Sequence, residues 1–155
     1  MNMRKIKNTE LKNIGRASNL VWLIFSDDRE PNREYALHIQ CPWRICDEKQ
    51  YILLASADIY QPNSSMEWSE DFDWDSFGNS LFDEKIHLLF PEEERIFVKQ
   101  ISFSRRNDFK IVFSNNLILE AFIDTSLKDS ECWRFFERGN KDKHLVVFGN
   151  YKELQ

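Results

Sequence analysis

Two apolar runs meet at Asn115-Asn116 and constrain this chain more than any other feature. Residues 109–114 and 117–125 are rich in Phe, Ile and Leu, and Asn tolerates the positive φ of a type I′ turn. The pattern predicts a β-hairpin with a two-residue loop, which sets Ser114 opposite Leu117 and Phe109 opposite Phe122. Val112, Leu117, Leu119 and Ala121 then share one face, while Phe109, Ile111, Phe113, Ile118 and Phe122 share the other. Two apolar faces need cover on both sides, most simply a helix on one and further sheet on the other.

Strand signals recur along the chain. Tyr35, Leu37, Ile39 and Cys41 alternate with Ala36, His38 and Gln40, the period of a strand with one face in the core. Residues 20–25 read as a buried strand, preceded by a segment where Thr9 is placed to cap a short helix bearing Leu11 and Ile14. Residues 51–59 form another apolar run, which we pair with 35–41 as a hairpin. The runs 96–104, 132–137 and 144–148 join the central hairpin in a meander. One helix is well marked: Ser80 supplies the cap, Asp83 sits where a capping box needs it, and Phe82, Ile86, Leu89 and Phe90 form a stripe that Pro91 ends. Thirteen Phe, five Trp and four Tyr suit pleated surfaces better than helix interiors. The expected fold is therefore α+β, mostly antiparallel sheet built of meander and hairpins, with one or two helices. A chain of 155 residues can bury a sizeable core unaided, so 1–155 reads as a single domain. Within it, residues 1–10 read as a flexible basic arm and residues 61–79 as a long acidic aromatic loop.

Charge narrows the function. Residues 1–16 sum to +4 and residues 67–94 to −9, within a net charge of −5. A chain this acidic lacks the electrostatic footprint of a nucleic-acid binder, and its acidic segment would attract a basic partner. The basic start is followed by polar residues rather than the apolar stretch of a secretory signal, and the run 20–25 is far short of the roughly 20 residues that span a membrane. The expected location is cytoplasmic, without membrane contact. Cys41, Cys46 and Cys132 have neither CxxC nor zinc-ligand spacing and read as reduced, mostly buried thiols.

The stretch from Glu67 to Asp75 is the most distinctive: it reads either as a solvated loop pinned by its rings or as a partner-binding patch, since tryptophans ringed by carboxylates match the anatomy of a recognition surface. Trp68, Asp71, Asp73, Trp74 and Asp75, with Asp83 and Glu84 of the helix, are the candidate partner-binding residues. Asp71, Asp73 and Asp75 have the spacing that opens a calcium loop. Ser76 and Phe82, however, occupy the positions that need Gly and Glu, which argues against an EF-hand. Cys41 with His38 makes a poor nucleophile and base, because residues three apart on a strand point to opposite faces. A second candidate is a pocket on the aromatic hairpin face where His38, Trp43, Arg44 and Glu120 converge. Glu120 is placed there opposite Ile111, with Arg134 as its candidate cation. His38, His87 and His144 have no metal-ligand spacing, and the scattered glycines form no nucleotide loop, so no catalytic residue, metal or cofactor is expected.

Several fragments together resemble a known group. They are Gly15-Arg16-Ala17-Ser18-Asn19-Leu20-Val21-Trp22-Leu23, the stretch from Tyr35 through Cys41-Pro42-Trp43-Arg44 to Ile45, Phe72-Asp73-Trp74-Asp75, and Glu131-Cys132-Trp133-Arg134-Phe135-Phe136 with His144-Leu145-Val146-Val147. Across most of its length the chain resembles a widespread family of uncharacterised small bacterial proteins, a resemblance that carries no catalytic residues. In style it is similar to immunity proteins that neutralise polymorphic toxins. That likeness implies a non-enzymatic protein-binding domain whose acidic patch occupies the basic site of a toxin. The rival expectation is a small-molecule binder or enzyme using the aromatic-face pocket.

Overall fold

The computed structural model describes every residue except Asp142. After a 3-10 turn, Met3–Ile6, come β1 (Glu10–Ala17), β2 (Leu20–Asp27), β3 (Glu30–Ile39), β4 (Trp43–Cys46) and β5 (Ile52–Ala55). A second 3-10 turn (Ser56–Tyr60) and α1 (Leu81–Leu89) lead to β6 (Val98–Phe103), β7 (Phe109–Phe113) and β8 (Ile118–Ala121). The chain closes with β9 (Glu131–Glu137), β10 (Leu145–Phe148) and β11 (Lys152–Leu154). The strands form two antiparallel sheets, one in the order β1-β2-β3-β9-β10-β11 and the other β5-β4-β8-β7-β6, so the fold is α+β as the alternation implies.

One core fills the space between the sheets. Leu23, Phe25, Leu37, Ile39, Trp133 and Phe135 from the first sheet meet Trp43, Ile45, Phe109, Ile111, Phe113 and Leu119 from the second, all nearly or fully buried. Trp133 joins the two: its ring stands edge-on to Phe109 at 5.5 Å and stacks near Phe103 at 6.3 Å. Its indole N–H donates to the Asn107 carbonyl at 3.0 Å. The sheets also share a corner between β3 and β4, where the Gln40 and Cys41 amides both donate to the Cys132 carbonyl. At the opposite margin β1 bonds to the segment that leads into β6, with the Leu11 amide on the Ile96 carbonyl at 2.8 Å. The helix closes one end, burying Phe82 and Ile86, and its capping box forms as its sequence requires.

Four local expectations are corrected. Leu11 and Ile14 lie on strand β1, not a helix. A bulge between Leu11 and Asn13 inserts one residue, so a helix-like spacing of three places both side chains on the core face of a strand. Thr9 instead closes the preceding turn, its hydroxyl donating to the Ile6 carbonyl at 2.6 Å. Residues 1–10 are not a free arm, because Met3 and Ile6 are fully buried.

The apolar run 51–59 does not pair with 35–41. Its strand portion, β5, pairs with β4, which lies in the stretch between them; β3 pairs with β2 and β9. Finally, the β7–β8 hairpin is shifted by one residue. The Asn116 amide donates to the Phe113 carbonyl and the Phe113 amide to the Leu117 carbonyl, with Asn116 at φ 66°. This is a three-residue loop with its last residue left-handed, so Phe109 faces Ala121 and Ile111 faces Leu119. The shift turns Phe109, Ile111, Phe113, Leu119 and Ala121 into the core together and sends Glu120 outward.

Candidate functional site

The acidic segment leaves the sandwich through a narrow neck. Asn63 bonds from its amide to the Asn79 carbonyl and from its side chain to the Gly78 carbonyl, both at 2.8 Å, while the Leu81 amide reaches the Gln61 carbonyl at 2.8 Å. Joined ends and internal bonds make residues 63–79 a compact loop of the Ω type. Asp73 accepts from the Asp75 amide, and Asn79 donates to the Asp73 carbonyl.

Arg16 of β1 holds this loop to the body. Its guanidinium binds Asp83 through two bonds of 2.7 and 2.8 Å, donates to the Trp74 carbonyl at 2.7 Å, and lies 3.7 Å from Asp75. The Arg16 and Asp83 side chains are only 6% and 7% exposed. Asp83 also accepts from the Gly78 and Ser80 amides, so one carboxylate ties β1, the loop and the start of α1. Burial pushes the Asp83 carboxyl up. The Arg16 bonds and charge and the two amides outweigh this and hold it below the usual carboxylate range. The Trp74 ring packs edge-on to Tyr60 at 4.8 Å and lies beneath the Arg16 cation.

The seven proposed contact residues thus separate. Trp68, Asp71, Asp73 and Asp75 are exposed on the loop. Trp74 and Asp83 face inward and are corrected to anchors of the loop. Glu84 accepts from the amide and hydroxyl of Ser64, bonds that hold its carboxyl below its ordinary range. Sequence reasoning missed Phe77, which is 93% exposed, and the outward Met66 and Leu88. It also missed Arg16, for which the excess of carboxylates was the available signal. Lys85 points away to the Leu53 carbonyl, and Arg95 pairs with Glu10 and Asp28. Glu67, Glu70, Asp71, Glu92, Glu93 and Glu94 are left without an ion pair among the described residues.

The second candidate site does not assemble. Trp43 is in the core, edge-on to Phe82 at 5.8 Å. Arg44 and Glu120 lie on the outer face of the second sheet, joined by a bond of 2.7 Å, with Lys110 on the far side of Glu120 at 4.0 Å. Glu120 takes Arg44 rather than Arg134 as its cation because the corrected register sets it between Arg44 and Lys110. His38 is on the outer face of the first sheet, where it meets Phe136 edge-on at 5.0 Å; burial lowers its pKa. His144 stacks on the other side of Phe136, and His87 is exposed on α1. Arg134 is engaged by Glu131 and His144. Half-exposed pairs such as Arg44 with Glu120 contribute at most about 1 kcal/mol. We therefore expect Glu120→Gln to leave the urea midpoint almost unchanged, whereas a large loss would show that the outer charges hold the hairpin.

The three cysteines are free and buried. Burial pushes the Cys41 thiol up to about 12, which removes the thiolate that nucleophilic chemistry needs. Among the described residues no three His, Cys, Asp or Glu side chains are grouped to hold a metal ion, and no helix is long and apolar enough to cross a membrane. No protein family, curated protein or solved structure matches the chain.

Proposed function

We propose that the protein is a non-enzymatic binding domain whose Ω loop engages a basic protein, as an immunity protein engages the cationic site of a toxin. One observation carries this reading: the exposed rings of Trp68 and Phe77 stand among carboxylates that the chain itself leaves unneutralised. Such charge steers a basic partner into encounter, and rings buried on contact slow its release. The Arg16 clasp supports the reading further, because a loop held in shape loses less entropy on binding. A cytoplasmic location, where such a partner would be met, belongs to the same proposal.

The test places a photo-crosslinking residue at position 77 and, as a control, at exposed Gln100 in β6. A basic protein captured only from position 77, and lost at high salt, is the expected result; equal capture from both positions would refute it. With that partner purified, changing Asp71, Asp73 and Asp75 together to Asn should keep the fold, since amides retain the acceptor oxygen. The association rate and its salt dependence should both fall. Trp68→Ala or Phe77→Ala should instead raise the dissociation rate, by about 2 kcal/mol in binding energy if the ring is an anchor. Stopped-flow kinetics at two ionic strengths separates the effects, and unchanged rates in all variants would end the proposal.

A further inference from the structure

We infer that the cleft bounded by the Met3–Ile6 turn, the β6–β7 turn and β11 binds a small amphipathic anion with an apolar body and a carboxylate head. The cleft encloses about 730 Å³, and small-molecule sites span about 300–1,000 Å³. Its wall divides by chemistry. Phe103, Leu145 and Leu154 supply apolar surface over the buried edge of Trp133, while Arg4, Arg105 and Lys152 supply positive charge.

The pairing pattern of the arginines singles this place out. Arg16, Arg44, Arg95, Arg134 and the other arginines each bridge a carboxylate, with Arg4 and Arg105 as the exceptions among the described residues. Both exceptions line this one cleft, and Lys152 beside them also makes no ion pair among the described residues. Arg4 is held with its guanidinium 5.3 Å from the centre of the Phe103 ring, which fixes a cation over the aromatic wall. Glu153, the single carboxylate among the described residues of the wall, is occupied by the Tyr151 hydroxyl and the Gln155 amide. A protein of net charge −5 thus gathers unpaired cations around one apolar hollow. Cations at a partly enclosed rim attract a carboxylate more strongly than they would in open water. The apolar wall takes the tail by burial. The cleft shares no residue with the Ω loop, so this inference is independent of the protein-binding proposal.

The experiment titrates isotope-labelled full chain with decanoate, using decanol as the uncharged control and decyltrimethylammonium as the cationic one, and follows backbone amides by NMR. Decanoate should shift residues 103–107, residues 152–154 and the Trp133 indole N–H saturably, with decanol weaker by about tenfold or more if the charged head contributes 1.4 kcal/mol. Arg105→Glu combined with Lys152→Glu, both exposed, should leave the remaining spectrum unchanged and weaken decanoate by a similar factor. Equal binding of decanoate and decanol, shifts confined to other residues, no saturable shift, or indifference to the charge reversals would each overturn the inference.

Discussion

Trp133→Ala should lower the unfolding free energy by about 3–5 kcal/mol, as expected for an aromatic ring removed from a core that cannot collapse. The ring is 2% exposed and reaches from the first sheet to Phe103 and Phe109 of the second, so its loss opens a hole at their junction. It also deprives the Asn107 carbonyl of its donor at the β6–β7 turn. Trp133→Phe is the intermediate case, since it keeps part of the packing while removing the hydrogen bond and the rest of the indole volume. Urea denaturation of both variants should show the phenylalanine protein between wild type and alanine. An alanine variant with the wild-type midpoint would show that the sheets are not joined through this ring.

Breaking the Arg16–Asp83 pair should be comparably costly. Removing one partner of a buried ion pair strands the other charge, at about 3–5 kcal/mol. Arg16→Met is expected to destabilise on that scale and to expose residues 63–79 to hydrogen exchange before the sheets open. Arg16→Met with Asp83→Leu should cost less than the sum of the single changes, because neither charge is then stranded. The sign of the pH dependence follows from Asp83. Its carboxyl is held below its unfolded value in the folded protein, so the stabilisation is complete above about pH 3.9 and is lost as pH falls through the lower folded value. Asp83→Asn should therefore flatten the acid limb of the stability curve, and an unaltered limb would remove Asp83 from the account.

Local chemistry was legible in the sequence where one segment decides its own structure. Ser80 with Asp83 announced the helix, and the alternation from Tyr35 to Ile39 announced β3 with its core face, although Ala36 on the other face is buried as well. Features set by one inserted residue were not legible. The bulge after Leu11 gives a strand the spacing of a helix. An Asn at positive φ suits a two-residue loop and a three-residue loop alike, so Asn115-Asn116 could not fix the register. That single slip is what placed Glu120 in an imagined pocket. The candidate site was legible in part for a related reason. Exposure of Trp68 and the loop aspartates follows from local polarity, but the inward turn of Trp74 and Asp83 depends on Arg16, 58 and 67 positions away.

Both sheets are composites of polypeptide from either side of the Ω loop. The first takes β1, β2 and β3 from before it and β9, β10 and β11 from after it; the second takes β4 and β5 from before and β6, β7 and β8 from after. The two halves meet along β3–β9, β4–β8 and the Glu10–Phe97 bridge. A cut within the loop would therefore leave fragments that each carry half of both sheets, with inner strand edges and core side chains bare. Such fragments have reason to recombine with each other rather than to fold separately, which makes the loop a natural seam for splitting the molecule into complementing parts.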